Sequence, residues 1–373
     1  MKHVEILVVG GGPAGLCAAI NAAEAGATVL VLERNEALGG QLIKQTHMFF
    51  GSEKQHASVR GINIATLLFN KINEMQNIEV LRNATVLAIY DDGVVTVEIA
   101  GKYTKIKPER IIVSTGASEK TLAFPNNDLP GIYGAGAVQT LMNVYGVKPG
   151  DHVLMVGAGN IGLIVSYQLM QAGVNVKAIV DAAPTIGGYW VHASKIRRMG
   201  IPIYTGYTVK EAHGKDYLEK ATIIKLDETW KPVEGSEIAF DINVLCISVG
   251  LSPLAELLWQ AGCEMKYVGE LGGFVPVRTE MLQTTVEIIF VAGDVCGVEE
   301  ATSAMVEGYL AGLSAARSLG YEIENYQEKI RDYLEQLESL RSGHVGNKIR
   351  SGLAQVTIKS LDEVMIRGES AAV

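Results

Sequence analysis

Closely spaced cysteines are what this chain most plainly lacks. The four it has, Cys17, Cys246, Cys263 and Cys296, never pair at the spacing of a redox dithiol, a zinc site or an iron–sulfur cluster. A reducing cytoplasm suits such a set best. A surplus of positive charge is missing too: 32 Lys and Arg against 41 Asp and Glu leave a formal charge of −9. That argues against a nucleic acid as the main partner, because phosphates must be met by a basic surface. The longest basic cluster, Lys195-Ile196-Arg197-Arg198, reads as a solvated helix face. Long apolar runs are absent as well. The opening "VEILVVGGG" is too short for a membrane span and carries glycines that a signal peptide lacks. The expectation is a cytoplasmic protein without a transmembrane segment, still able to dock on a membrane-bound partner. What the chain has in plenty is glycine, 41 of 373 residues, with 48% hydrophobic and 20% charged residues, the composition of a compact α/β enzyme with many tight turns.

One pattern occurs twice. Residues 6–41, "ILVVGGGPAGLCAAINAAEAGATVLVLERNEALGGQ", match residues 153–189, "VLMVGAGNIGLIVSYQLMQAGVNVKAIVDAAPTIGGY". Gly10, Gly12 and Gly15 correspond to Gly157, Gly159 and Gly162, Gly26 to Gly173, Glu33 to Asp181, and the Gly-Gly pair at 39–40 to that at 187–188. An apolar β-branched run predicts a buried parallel strand. The glycines let the chain turn tightly and approach a pyrophosphate, the next helix offers its N-terminal amides to the anion, and the acid can accept from a ribose diol. Two such sites predict two dinucleotides, one prosthetic and one exchanging.

The repeat extends beyond the fingerprints. Each half continues into alternating strands and a final apolar strand that ends in glycine, "IIVSTG" and "LCISVG". Asp92-Gly93 and Gly101 mark the turns of the first meander. The strand needed to complete the first domain, "IIFVAGD", comes only after the second unit, so the second domain is inserted in the first. The predicted fold is α/β with two Rossmann-like three-layer domains: residues 1–118 and 249–320 for one, 119–248 for the other, and a helical tail over 321–373.

On these residues, positions 4 to about 320 resemble the flavoproteins with two dinucleotide-binding domains, the pyridine nucleotide-disulfide oxidoreductase superfamily. The resemblance implies FAD at the first fingerprint, held by Gly10, Gly12, Pro13, Ala14, Gly15, Glu33 and Arg34. It further implies FAD contacts from Gly40, Gln41, the Val86 backbone and the Thr115-Gly116 crossover. Gly293-Asp294 resembles the family's ribityl and pyrophosphate contact, and the helix starting near Glu300, Ala301 and Thr302 would direct partial positive charge at the flavin. NAD is implied at Gly157, Gly159, Asn160, Ile161, Gly162 and Asp181. An acid at 181, with no arginine in "DAAPTIGG", favours NADH over NADPH.

The family's disulfide reductases place a cysteine pair after the first Gly-Gly or before the second fingerprint, and both places are bare here. Cys296 reads as a packing residue. A narrower resemblance, carried by "STGASEKTLAFPNNDLPGIYGAGAVQTLMN" and "AGDVCGVEEATSAMVEGYLAG", is to the flavoprotein subunits of opine oxidase, hydrogen cyanide synthase and dye-linked proline or hydroxyproline dehydrogenase complexes. It implies an oxidoreductase passing hydride between NAD(H) and FAD and electrons to or from a partner, a second flavoprotein subunit or an iron–sulfur protein. Many relatives continue into a cysteine-rich cluster-binding segment; no cysteine follows position 296 here, so any cluster is expected on another polypeptide. The alternatives are a stand-alone NADH-dependent reductase of ferredoxin or a small acceptor, and a non-catalytic FAD-binding assembly subunit. In "GGQLIKQTHMFFGSEKQH", Lys44 and His47 are candidates to touch the flavin ring or a substrate carboxylate, while Met48, Phe49 and Phe50 read as core or interface. In the tail, Tyr326, Ile330, Tyr333, Leu334, Leu337 and Leu340 predict an amphipathic helix stopped by Gly343, which either packs on its own domain or docks a partner.

Overall fold

The structure, a computed structural model, describes residues 1–361; the rest of the predicted tail lies outside the described residues. Nine helices occur among them: α1 (Pro13–Glu24), α2 (Gly61–Glu74), α3 (Ala135–Asn143), α4 (Asn160–Gln171), α5 (Trp190–Arg198), α6 (Glu256–Gln260), α7 (Ala301–Ser318), α8 (Tyr326–Leu340) and α9 (Gly343–Leu353). The chain divides into two units, Met1–Ser118 together with the chain from Ser252 onward, and Glu119–Leu251.

In the first unit one sheet carries the strands Ile78–Leu81, Val29–Leu32, Lys2–Val9, Lys102–Val113, Val95–Ile99 and Ala84–Ile89 in that order, with Ile289–Val291 also paired to Lys102–Val113. The pairings that link Ile78–Leu81, Val29–Leu32, Lys2–Val9 and Lys102–Val113 are parallel, as is that of Ile289–Val291. The meander strands are antiparallel and turn back at Gly93 (φ +74°) and Gly101 (φ +76°). Successive strand residues point to opposite faces. Ile6 and Val8 therefore enter the core shared with α1, α2 and α7, while Leu7 and Val9 enter a second core with the meander and α6. A sheet buried on both faces explains the unbroken apolar runs in the sequence. The helices α1 and α7 approach so closely that a Cβ on Gly308 would stand 2.2 Å from Ala14 O, and one on Gly312 2.2 Å from Ala18 O.

The second unit repeats the plan. Its parallel sheet runs Ile203–Thr205, Asn175–Asp181, His152–Val156, Val244–Ile247 and Ile132–Gly134. A separate antiparallel sheet holds Tyr207–His213, Lys220–Lys225 and Ile238–Asp241. The segment "IPIY" runs into the parallel sheet at Ile203–Thr205, as Ile78–Leu81 does in the first unit. The basic cluster forms the last turn of α5, where Lys195 sits over the Tyr167 ring at 4.3 Å and Arg197 and Arg198 are exposed.

The tail packs on the first unit. Ile330 and Leu337 are buried in its core, with Tyr326, Tyr333, Leu334 and Leu340 against them. The structure differs from expectation at the stop: α8 ends at Leu340, and Gly343 opens a further helix, α9, with Ser342 extended at its N-cap position and no side-chain cap hydrogen bond. Beyond it, Thr357–Ile358 pairs in parallel with Arg278–Thr279.

Candidate functional site

The two fingerprints adopt the same geometry down to individual atoms. A Cβ on Gly10 would meet Ser114 O at 2.5 Å, and one on Gly15 would meet Gly10 O at 1.9 Å. At the equivalent places a Cβ on Gly157 would stand 2.0 Å from Ser248 O and one on Gly162 2.0 Å from Gly157 O. The outer glycines are therefore demanded by packing. The middle ones are not: at Gly12 the nearest atom is Gly40 Cα at 4.0 Å, and at Gly159 nothing lies within 4 Å. Both middle glycines are also the N-caps of their helices, α1 and α4, without a side-chain cap, and Pro13 stands at the start of α1. An uncapped helix start beside an open glycine accommodates an anionic group held by backbone amides.

The acids are clipped alike. Glu33 is buried, and its Oε2 accepts from Gly11 N–H at 2.8 Å, while Oε1 accepts from Asn35 N–H at 2.8 Å. Asp181 Oδ2 accepts from Ala158 N–H at 2.6 Å and Oδ1 from Ala183 N–H at 2.8 Å. Each carboxylate keeps lone pairs for a further donor. The neighbour of Glu33, Arg34, is exposed; in the second unit Ile161 is exposed and Asn160 accepts from Tyr189 N–H at 2.8 Å.

A third corner gathers at the start of α7. Gly293 (φ +77°) turns the chain where a Cβ would come within 2.9 Å of the Ala14 Cβ. Asp294 follows, and burial pushes its carboxyl up to about 7, with the nearby carboxylates of Glu307, Glu299 and Glu300 adding to the rise. Its Oδ1 accepts from Glu299 N–H at 3.3 Å. The first turn of α7 holds Ala301 and the buried Thr302, again without a side-chain cap. Below it lie charges that the sequence reading missed. Glu307, 2% exposed, accepts from Gly293 N–H at 2.9 Å and pairs with Arg341 and Arg278. Burial alone would raise its carboxyl, but the two guanidinium groups outweigh burial and hold it below the usual range. One signal was available: Glu307 is the sole charge in the run "ATSAMVEGYLAGLSAA".

The loop after Gly39-Gly40 begins with a 3-10 turn, Gly40–Lys44, in which Gln41 is exposed and Leu42 buried. Lys44 and His47 are half-buried, and the His47 ring stacks on Phe49 with centroids 5.8 Å apart. Phe49 belongs to the core, whereas Met48 and Phe50 are exposed. Val86 stands beside a bulge in its strand, and Thr115-Gly116 (Gly116 φ +75°) is held by Leu254: Thr115 Oγ donates to Leu254 O at 2.7 Å, and Gly116 O accepts from Leu254 N–H at 2.9 Å. All four cysteines are buried and unbridged. Burial drives Cys17 up to about 12 and Cys296 well above its ordinary value, so neither is a thiolate at neutral pH. Among the described residues no helix is long and apolar enough to cross a membrane.

Solved structures with this arrangement include L-proline dehydrogenase from P. horikoshii, at TM-score 0.70 and 23% identity over 90% of this chain and 59% of that one. Thioredoxin reductase from T. acidophilum matches at TM-score 0.70 and 20% identity, over 86% and 99%. These likenesses establish the fold. Among curated proteins, the alpha chain of sarcosine oxidase from Corynebacterium sp. (strain P-1) is 28% identical over 86% of this chain and 33% of its own length. The A component of opine oxidase from Agrobacterium tumefaciens (strain Ach5) is 27% identical over 84% of this chain and 66% of its own length. HcnB, a subunit of hydrogen cyanide synthase from Pseudomonas protegens, is 26% identical over 97% of this chain and 81% of its own length. The chain thus spans only about a third of the sarcosine oxidase relative and about two thirds of the opine oxidase one. Residues 4–308, most of the chain, match the profile of the pyridine nucleotide-disulphide oxidoreductases, and the protein belongs to that family of FAD-dependent oxidoreductases.

Proposed function

We propose that this chain passes hydride between a nicotinamide dinucleotide and FAD, and electrons to or from a partner, as the flavoprotein subunit of a hetero-oligomeric dehydrogenase of amino acids or amines. The observation that carries the reading is the doubled cradle: in each unit an open middle glycine at an uncapped helix start, with an acid clipped beside it. In the first unit, the N–H groups of Gly12 and Ala14, on either side of Pro13, which has none, receive the FAD pyrophosphate, Glu33 the adenosine ribose, and Asp294 the ribityl end. The first turn of α7, at Ala301 and Thr302, presents its partial positive charge to the ring, and Lys44 and His47 serve the ring or a substrate carboxylate. In the second, Gly159, Asn160 and Ile161 hold the nicotinamide dinucleotide's pyrophosphate. Asp181, tied by two backbone amides, accepts from a ribose 2′-hydroxyl and repels a 2′-phosphate, which supports NADH over NADPH.

FAD, when bound, supplies two-electron exchange with the nicotinamide; the protein's part is to hold, orient and polarise. The reading assigns no step to a cysteine relay: Cys17, Cys246, Cys263 and Cys296 lie far apart in sequence, and all four are buried. In this reading the electrons leave or arrive through another polypeptide rather than a diffusing acceptor, which is supported by the similarity to proteins that are themselves subunits, of sarcosine oxidase, opine oxidase and hydrogen cyanide synthase.

Anaerobic addition of NADH to the FAD-loaded chain tests the proposal: the flavin absorbance bleaches, with NADPH far slower. A flavin bleached by neither nicotinamide nor amino acids overturns it in favour of a non-catalytic assembly role. Fast turnover with ferredoxin and no partner overturns the partnered role in favour of a stand-alone reductase. Isolation of the native complex identifies the partner chain.

A further inference from the structure

Helix α8 ends on a guanidinium that lies under the start of α7. Arg341 Nη2 donates to Glu307 Oε1 at 2.6 Å and to Glu299 Oε1 at 2.7 Å, and its Nε donates to Glu299 Oε2 at 2.9 Å, a bidentate pair with Glu299. Glu307 spends its other oxygen on Gly293 N–H, 2.9 Å away. The second cation, Arg278, reaches Glu307 only once, at 3.3 Å, and its Nη1 has no partner among the described residues. The stronger hold on Glu307 thus comes from the segment that follows α7, the part of the chain beyond the family match at residue 308.

We infer that Arg341 is a positioning residue for the flavin: through Glu307 it fixes the Gly293-Asp294 turn, through Glu299 it fixes the lead into α7, and its charge keeps that corner from becoming strongly negative. The inference rests on the proposed seat of FAD at this corner. Among the described residues, the carboxylates of Asp294, Glu299 and Glu307 gather here, and the guanidinium groups of Arg341 and Arg278 pair with the two glutamates. Without Arg341, Glu299 loses its bidentate partner and Glu307 keeps only the 3.3 Å contact with Arg278. Gly293 N–H then loses a well-placed acceptor, Asp294 becomes harder to ionise, and negative charge arriving on a nearby flavin meets repulsion instead of compensation. A purely structural ion pair behaves differently: loss of one partner of a buried pair lowers the stability of the apoprotein but leaves the affinity and potential of the folded protein unmoved.

Titration of the apoprotein with FAD and spectroelectrochemistry of the loaded protein test this in the wild type, Arg341→Met and Arg341→Lys. Arg341→Met is expected to bind FAD about tenfold more weakly or worse, the cost of unpairing buried charges, and to hold it at a more negative midpoint potential. Arg341→Lys, which keeps the charge, recovers most of the potential and part of the affinity. If Arg341→Met does not fold, the double variant Glu299→Gln/Arg341→Met, which removes one charge of each sign, is compared with Glu299→Gln instead. Wild-type affinity and potential in the folded methionine variants overturn the inference, and so does a change confined to the thermal midpoint of the apoprotein. A wild-type chain that takes up no FAD overturns the proposed cofactor seat and this inference together, whereas silent variants of an FAD-binding wild type overturn the inference alone.

Discussion

At the scale of single residues, the fingerprint glycines separate folding from binding. A methyl group on Gly15 would sit 1.9 Å from Gly10 O, whereas on Gly12 it meets nothing nearer than 4.0 Å, and Gly12 has φ −79°, which any residue adopts. Gly15→Ala is therefore expected to cost more than about 2 kcal/mol of stability. Gly12→Ala is expected to cost the apoprotein no more than about 1 kcal/mol, the loss of a favoured N-cap residue, while sharply weakening FAD uptake. Urea unfolding and FAD titration of both variants check the contrast; a Gly12→Ala chain that binds FAD normally would falsify the assignment of the cradle. Asp294 supports a second prediction. Its carboxyl titrates near 7 in the folded chain against an ordinary 3.8, so between those values the folded state holds a proton that the unfolded state has lost. The stability it contributes is complete below pH about 4 and disappears as pH rises through about 7. Asp294→Asn, which has no proton to lose, should remove that part of the decline. Apoprotein unfolding midpoints measured from about pH 4 to about pH 7 follow it, and an unchanged slope in the variant defeats the attribution.

At the scale of elements, α7 joins the Gly293-Asp294 corner to the rest of the first unit. Its glycines at 308 and 312 let it lie directly on α1, with backbone oxygens 2.2 Å from where a Cβ would be. Gly308→Ala must push the two helices apart and is expected to destabilise the first unit by about 2 kcal/mol or more. Because α1 and α7 both begin at the proposed cofactor seat, FAD affinity should fall with it; wild-type affinity and stability together would disprove the coupling. Much of this was legible in advance, for a definite reason. The fingerprints, the meander turns at Gly93 and Gly101 and the start of α7 are signalled by spacing within one stretch of chain, where local geometry dictates residue type. The network of Arg278, Glu299, Glu307 and Arg341 was not, because it assembles residues from a strand, a loop, a helix and a helix end, and no periodicity links them. The stop of α8 was misread because Gly343, a plausible terminator, instead starts α9 after Ser342. The pairing of Thr357–Ile358 with Arg278–Thr279 involves strands of two residues, too short to leave a pattern.

At the scale of the whole molecule, the insertion of one unit in the other has a thermodynamic consequence. The inserted unit enters and leaves through adjacent segments, with Lys120 N–H donating to Gly250 O at 2.9 Å, and the host unit is clamped in the same way where Leu254 N–H donates to Gly116 O at 2.9 Å. Unfolding of Glu119–Leu251 therefore leaves the ends of the host chain tied together, and each unit keeps its own sheet and cores. Heat unfolding need not follow a single two-state transition. If each unit holds its own dinucleotide, each ligand stabilises only the unit that binds it, by about 4 kcal/mol at a thousandfold excess over Kd. In calorimetry, FAD should raise one transition and NADH the other. Gly159→Ala, where a Cβ meets nothing within 4 Å, should abolish the NADH shift, leave the FAD shift intact and leave the ligand-free trace unchanged. A single transition that both nucleotides raise equally, or an NADH shift that survives in Gly159→Ala, would refute the division of the two cofactors between the units.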